Sequence, residues 1–599
     1  MVAEPDSGIA TPDHGAESKE PPQWENLPKA WARSKSPLIP ERRIDTPPHG
    51  PFTPQPGLAK DAWVDVLCRH VVFPHAVRDG ALVLAASTYA DALRAAHDLR
   101  LDAVPITVRL TSKHDILTAL TTRYAPLLTL RSTSGLRTTA PDLSAATKCP
   151  QWMRYLWIGT SLSILAALLA MPAAAMLNLW LVFIPYFLAT MLLRAVLILS
   201  AVRSGTPPPP PRIRTPVVSI LVPVYREAES LPALIRALKA LDYPVRALDI
   251  KILLEEDDTD TIAEARWLTA GTHIDCLVVP SSHPRTKPKA MNFALPFVRG
   301  EIVGIFDAED APEVDQISKA VATLEAAGEE IACAQARLSH YNPNDNLLTR
   351  CVAMEYALWF DMLLTGLSRA RLPVPLGGTS LYFRTDILRE IGGWDPHNVT
   401  EDADLGLRLA RAGKRATVFD STTFEEATDS AAAWIRQRSR WIKGFMLTWA
   451  VHMRDPARLA RDLGWGPMLA INVLLLDGFL SFLLQPIILL SALVAMMSEA
   501  PPWLGLFQVP GATILLASLF AGQALLLCGA FIAARGRFGW RMAISAPLLW
   551  PYWMMGGVAA IKALLQIATK PQFWEKTVHC VSPVAKARRD DVLNSVKRD

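Results

Sequence analysis

The seven cysteines of this 599-residue chain (Cys68, Cys149, Cys276, Cys333, Cys351, Cys528 and Cys580) keep no CxxC or CxxH spacing. That excludes a structural zinc site and reads as a set of reduced thiols. Net charge is scarce as well: 61 Lys and Arg stand against 57 Asp and Glu. A nucleic-acid binder would carry a concentrated basic face, so nucleic acid is excluded as a partner. The first residues lack a basic stretch followed by an apolar one, so no cleaved signal peptide is expected. Charged residues make up 20% of the chain against 51% hydrophobic ones, and they are nearly absent from several long stretches. Membrane segments explain that segregation better than one very apolar core.

What is present divides the chain into six parts. Residues 1–58 are proline-rich (Pro47, Pro48, Pro51, Pro54, Pro56) and poor in large apolar residues, so they are expected to stay disordered. Residues 61–135 alternate strand-like runs (Ala81 to Ala85, Val104 to Leu110) with helical ones (Tyr89 to Leu99, Lys113 to Tyr124), a small α+β accessory domain. Residues 152–203 hold two apolar runs, Tyr155 to Met171 and Leu177 to Ala201, each close to the ~20 residues that cross a bilayer. Lys148 and Arg154 precede this pair and Arg203, Arg212 and Arg214 follow it, which predicts an in–out–in hairpin. Arg194 lies inside the second run and is expected to snorkel to the interface. Pro207 to Pro211 then form a stiff spacer.

Residues 213–450 are the largest polar block. Strands are predicted at Val217 to Val222, Ile250 to Leu254, Asp275 to Val279 and Ile302 to Phe306, with helices at Leu231 to Leu241 and Thr261 to Thr269. The alternation implies an α/β domain with a mostly parallel sheet and helices on both faces. Ligands of such sheets sit beyond the carboxyl ends of the strands, where this chain's acidic residues cluster. In residues 465–568 the apolar runs return at Pro467 to Met497, Thr513 to Ala534 and Met542 to Ile567. Three crossings would leave the tail outside, yet residues 569–599 are basic (Lys586, Arg588, Arg589, Lys597, Arg598) and read as cytoplasmic. Either the first run is an in-plane helix plus a span, or the third turns back at Pro547 and Pro551.

Three segments carry chemistry. "FDAEDAPE" sets Asp307, Glu309 and Asp310 after a buried strand, where carboxylates suit Mg²⁺ or Mn²⁺ and an acidic turn is the plainer alternative. "VTEDADLGLRLARAG" offers Thr400 as the cap of a helix from about Glu401 to Ala412, with Asp402 in its first turn. That carboxylate is either a general base for a hydroxyl or simply a favourable charge at a helix start. "WIRQRSRWIKGF" brings Gln437, Arg438, Arg440 and Trp441, which read as an interfacial amphipathic helix or as groups that stack on a sugar and bind a diphosphate.

The ordered blocks "LVPVYREAESL", "LLEEDD", "KPKAMN", "FDAED", "PLGGTSLYFR", "GGWD", "TEDADL" and "QRSRW" resemble the family 2 inverting glycosyltransferases of GT-A fold. They are most similar to the processive membrane branch of cellulose, poly-N-acetylglucosamine and hyaluronan synthases. The resemblance covers residues 215 to 450 and implies an enzyme that takes a hexose from a nucleotide-sugar donor, with Mg²⁺ or Mn²⁺, and extends a polysaccharide through its own membrane channel. It implies that Pro223, Tyr225, Glu227, Glu256, Asp258, Lys289, Asn292 and Asp307 bind the donor. Asp307 and Glu309 would hold the metal, Glu309 standing where the family has its second Asp. Asp402 would be the catalytic base, and Thr400, Glu401, Gln437, Arg438, Arg440 and Trp441 would serve the acceptor and diphosphate. Glu255 and Glu256 precede Asp257 and Asp258 where the family has Asp-Asp to hold the uracil or ribose, which weakens the assignment of the nucleotide. "PQFWEKTVH" (Trp574, Lys576, Thr577, His579) resembles a cytoplasmic segment of the same branch. "DAVPITVRLTSKHDILTALTTRY" resembles the N-terminal domain of type II secretion ATPases.

The expected setting is the inner membrane, multi-pass, with the catalytic domain cytoplasmic and the lipid bilayer as partner. An accessory export or regulatory subunit stays open. So do two other readings: a single transfer to a lipid-linked acceptor, and an inactive relative serving as receptor or scaffold.

Overall fold

In the computed structural model the described residues are 43–45, 52–153, 172–204, 213–497 and 510–570, with a few single positions from 155 to 166. The expectations for residues 1–42, most of the run Tyr155 to Met171, the proline spacer and the segment from Pro571 onward lie outside them.

The N-terminal unit is a four-stranded sheet in the order β1 (Arg43–Asp45), β4 (Ile106–Leu110), β3 (Ala81–Ala86), β2 (Val72–Arg78). Sequence reading missed β2, although the turn that joins it to β3 is Asp79-Gly80. Both residues have positive φ (49° and 76°), the geometry that a two-residue hairpin loop demands and glycine meets without strain. Three helices cover the sheet: α1 (Val64–His70), α2 (Tyr89–Asp98) and α3 (Lys113–Thr139). Helix α3 runs fifteen residues past its expected end at Tyr124, through Pro126. Its second half buries Leu128, Ser132 and Leu136, so tertiary packing outweighs the missing backbone donor. Lys113 pairs with Asp275 at 2.6 Å, and Asp395 accepts from the Ala145 amide at 2.5 Å. The accessory unit is thus bolted to the back of the central block.

That block is built on an eight-stranded sheet in the order β7-β6-β5-β8-β11-β10-β12-β9. Strands β5 (Val218–Val224), β6 (Leu248–Glu255), β7 (Ile274–Val279) and β8 (Ile302–Ile305) are parallel. The predicted strands fall on these four to within two residues. All eight residues of β6 are buried, as a strand covered on both faces must be. The other half is mixed. Strand β11 (Leu381–Arg384) is antiparallel to β8 and to β10 (Ile331–His340), β10 is parallel to β12 (Arg415–Glu425), and the short β9 (Ala311–Pro312) is antiparallel to β12.

Among the described residues four helices are long and apolar enough to cross a membrane: Phe183–Arg203, Trp465–Pro486, Ala517–Phe538 and Trp540–Thr569. The first belongs to α4 (Pro172–Ser204). Arg194 of α4 does not snorkel outward as expected. It is buried and pairs with Asp477 at 2.7 Å, and Tyr186 donates to the same carboxylate at 3.2 Å. A buried charge is tolerated where it meets its opposite. The run Pro467 to Met497 forms one continuous helix, Trp465–Met497, whereas the run Met542 to Ile567 breaks into Trp540–Ala543, Leu549–Met554 and Gly556–Thr569. The break falls among Pro547, Pro551 and the paired Gly556 and Gly557, residues that cannot hold or do not favour a helix.

Candidate active site

Past the carboxyl ends of the parallel strands lies a cavity of about 440 Å³ that extends from β5 to the apolar helix starting at Trp465. One wall begins where β5 ends. Pro223, Tyr225 and Glu227 line it, and Arg226 takes a positive φ of 54° so that its amide can donate to the Asp258 carboxylate. The Tyr225 hydroxyl lies 3.2 Å from Asp257 and 2.9 Å from Arg285, whose guanidinium also reaches Asp257 at 2.7 Å and sits over the Tyr225 ring. An aromatic face bordered by a cation and a carboxylate suits a planar, hydrogen-bonding heterocycle.

The helix α5 (Lys287–Ala294) supplies two lysines with different tasks. Lys289 is fully buried behind the wall, its ammonium on both oxygens of Glu255 (3.1 and 2.9 Å) and on the Pro280 carbonyl. Lys287, not singled out in the sequence, enters the cavity, pairs with Asp307 and donates to the Gly378 carbonyl at 2.7 Å. Burial opposes its charge, but Asp307 and Glu401 outweigh that and hold the ammonium above its usual pKa.

Asp307 and Glu309 face the cavity on the loop after β8. Asp310 is turned inward and fully buried, accepting from the Asp307 amide (2.8 Å) and the Thr379 hydroxyl. Burial and the Asp307 charge raise its carboxyl to about 7. Carboxylates outnumber cations nine to four along the lining, so a diphosphate would meet net repulsion without a counter-ion. Among the described residues no three His, Cys, Asp or Glu side chains are spaced to hold a metal by themselves. Asp307 and Glu309 suit a hard divalent ion that takes its remaining oxygen ligands from phosphate and water.

The opposite wall is formed by α6 (Glu401–Arg411) and α7 (Ala431–His452). Thr400 occupies the cap position of α6 without a side-chain capping bond. Its hydroxyl meets Thr448 of α7 instead, at 3.2 Å. A Cβ on Gly444 would overlap the Thr400 side chain, so only glycine lets the two helices approach this closely. Glu401 and Asp402 project into the cavity, the Asp402 Oδ2 within 3.3 Å of where a Gly378 Cβ would stand. Desolvation raises both carboxyls, and the Asp402 charge helps push Glu401 to about 8. From α7 come Gln437, Arg438, Arg440 and Trp441. Burial lowers the Arg440 pKa, with Glu401, Asp402 and Asp307 acting against it. Arg438 pairs with Glu355 and is stacked between Trp434 and Trp441, 5.4 and 4.4 Å from the ring centres. Its charge is already answered.

Of the expected site residues, Pro223, Tyr225, Glu227, Asp307, Glu309, Thr400, Glu401, Asp402, Gln437, Arg438, Arg440 and Trp441 share this lining. Glu256, Asp258, Lys289 and Asn292 stand outside it. Glu256 accepts from the Ser281 amide, and Asp258 caps the helix Thr259–Thr269. Asn292 exchanges hydrogen bonds with the Trp394 backbone (2.7 and 3.0 Å) and so clips α5 to the "GGWD" loop. Arg285, Lys287, Glu355, Glu425 and Glu426 line the cavity without having been singled out, as does Glu255, which was noted only as a departure from the family's Asp-Asp. The strand period of two was a usable signal for Glu255: it faces opposite to Glu256 at the end of β6. No comparable signal marks Glu355 or Glu425. The membrane end of the cavity is apolar, walled by Trp359, Phe360, Ile442 and Phe445, and by Gly478 and Phe482 of the Trp465–Met497 helix.

Residues 215–444 match the family model described as "Glycosyltransferase like family 2". A Beta-monoglucosyldiacylglycerol synthase of Trichormus variabilis is 26% identical over 316 residues, 51% of this chain and 64% of that protein. A Probable glucomannan 4-beta-mannosyltransferase 1 of Arabidopsis thaliana is 29% identical over 240 residues, 38% of this chain and 43% of that one. The chain therefore spans less than two thirds of the length of these curated relatives. Among solved structures, a mannosyltransferase from Pyrobaculum calidifontis in complex with GDP-Man and Mn²⁺ is 19% identical, with a TM-score of 0.40 over 66% of this chain and 99% of that one. The central block thus matches the family 2 glycosyltransferases along residues 215–444.

Proposed function

We propose that the chain transfers a hexose from a nucleotide-sugar, with inversion, to a hydroxyl of a growing polysaccharide at the cytoplasmic face of a membrane. The single observation behind this reading is the shared cavity. Asp402, the Asp307–Glu309 pair, and Arg440 with Trp441 all face one space that runs from the Tyr225 platform to a membrane helix.

Tyr225, Arg285 and Asp257 bind the nucleoside. Asp402 takes the proton of the acceptor hydroxyl as its oxygen attacks the anomeric carbon from the side opposite the diphosphate. A carboxylate whose pKa is raised toward the working pH is a stronger base for this step. Lys287 and Arg440 stand where charge collects on the leaving group, and cost no reorganisation when it does. Asp307 and Glu309 would hold Mg²⁺ or Mn²⁺, which supplies neutralisation of the diphosphate charge. Trp441 offers a face for an acceptor sugar. Processive extension and export through the apolar helices complete the reading.

A second reading, single transfer to a lipid-linked acceptor, is favoured by the apolar end of the cavity at Phe445 and Phe482. The name of the Trichormus relative, a diacylglycerol glucoside synthase, points the same way.

The test is label transfer by inverted membrane vesicles given UDP-glucose, UDP-N-acetylglucosamine or GDP-mannose with Mg²⁺, beside an Asp402→Asn control. Label in a large product, lost in the control and on chelation, is the expected result. Label confined to a small lipid-soluble product would replace polymerisation with single transfer. No label from any donor would leave the receptor or scaffold reading.

A further inference from the structure

The catalytic steps above leave unused a carboxylate in the middle of the cavity. Glu425 is the last residue of β12, opposite His340 of β10, so its side chain leaves the sheet edge and enters the cavity. Its surroundings fix its place between the two substrates. On one side its carboxyl feels the charges of the buried Asp310 and of Asp307 and Lys287, the last two being groups assigned to the donor's phosphates and their metal. On the other it is hydrogen-bonded to the Tyr356 hydroxyl, and the Tyr356 ring lies 6.1 Å from Trp441, the face offered to the acceptor sugar. Behind it the His340 imidazole stands 3.6 Å away, edge-on to Tyr356 at 4.3 Å and fully buried, so the carboxylate cannot retreat from the cavity.

We propose that Glu425 is an acceptor-binding residue, its carboxyl group hydrogen-bonding a hydroxyl on the edge of the sugar whose face rests on Trp441. This rests on the transferase reading above and deepens it: the acceptor is a pyranose recognised by one aromatic face and one carboxyl edge. The chemistry favours it. A carboxyl offers a sugar hydroxyl acceptor positions beyond the one that the Tyr356 hydroxyl takes and, when protonated, an O–H donor as well. A site built to bind a sugar hydroxyl rejects the analogue that lacks it, because the partner group is then left buried and unsatisfied. Glu425 would thus contribute selectivity among acceptors, while Asp402 contributes the proton transfer.

The experiment uses the full chain in membranes, with the donor that the wild type accepts and with cellotetraose, mannotetraose and their monodeoxy analogues as acceptors. Glu425→Ala is expected to raise the acceptor KM roughly 10- to 100-fold. The donor KM, and donor hydrolysis without acceptor, should stay within about twofold. The wild type should discriminate against one deoxy analogue, and the variant should not. If the alanine variant fails to fold in detergent melts, Glu425→Gln, of equal size, carries the same test. A parallel rise in donor KM, a loss of donor hydrolysis, or unchanged acceptor kinetics with the discrimination intact would overturn the assignment and leave the transferase reading standing. A wild type that consumes no nucleotide-sugar would overturn both.

Discussion

The two ends of the cavity are built on different principles. The donor end hangs on the tips of parallel strands, and its groups come from short contiguous segments: Pro223 to Glu227, Arg285 to Lys287, Asp307 to Glu309. The acceptor end is assembled from side chains far apart in sequence. Glu355 accepts from Arg438 of α7, from Tyr552 at 2.6 Å and from Trp553 at 3.1 Å, the last two on the segment Leu549–Met554 within an apolar span. A strand tip fixes its residues through the sheet ladder. The acceptor end depends instead on a membrane helix staying docked. On the proposed function, the difference teaches that donor recognition would belong to the domain alone, whereas acceptor recognition would belong to domain and membrane region together.

Asp402 stands at the junction of the two, so its loss should be the largest effect. Asp402→Asn keeps the shape and removes the base, and the turnover rate should fall about 10²- to 10⁴-fold with both KM values little changed. Initial rates across donor and acceptor series check it, and a KM effect confined to one substrate would move Asp402 off the junction.

A donor-end variant should then split the substrates. Lys287→Met leaves Asp307 and the Gly378 carbonyl without their half-buried cation. Loss of a charge-assisted hydrogen bond of this kind costs about 1.5–3 kcal/mol, so the donor KM should rise roughly 10- to 100-fold. The acceptor KM should not move. Isothermal titration with the nucleoside diphosphate provides the check, and equal losses on both substrates would erase the division.

The same division explains what sequence could show. The four parallel strands and the carboxylates at their tips were legible because a buried strand reads as an apolar run and a motif follows it at once. Lys289 drew attention within "KPKAMN", yet two residues on a helix point some 200° apart, so only Lys287 enters the cavity while Lys289 turns to Glu255. At the acceptor end, Glu355 sits in "VAMEYALWF", which reads as a core helix with one stray charge. Only the docking of Tyr552 and Arg438 gives it a purpose, and no local pattern encodes a pairing across nearly two hundred residues. Helix α3 passed unread beyond Tyr124 for the same reason, its continuation being paid for by burial against the central block.

At the acceptor end, Tyr552→Phe should loosen the docking without touching the donor wall. The hydroxyl accepts from the Trp434 indole at 2.6 Å and donates to Glu355, so its removal orphans a buried donor at about 1–3 kcal/mol. The melting temperature in detergent should fall by a few degrees. The acceptor KM should rise severalfold while nucleoside diphosphate binding stays unchanged. A donor defect of equal size would show that the membrane segment supports both ends.

The smallest effect is a displacement along the pH axis. The base must be ionised to accept a proton, and burial raises the Asp402 carboxyl above the ordinary range near 4. The rate should therefore fall as pH drops through that raised value, at a higher pH than an exposed aspartate would give. Glu401, pushed to about 8 by burial and by the Asp402 charge, shares the strain of two adjacent carboxyls. Glu401 therefore stays protonated while Asp402 titrates, and Glu401→Gln, which keeps that site neutral, should leave the acid limb of kcat where it is. Donor binding, read at the far wall, should keep its own pH profile in that variant. Acid limbs that shift together for turnover and donor binding would mean that the two ends titrate as one site.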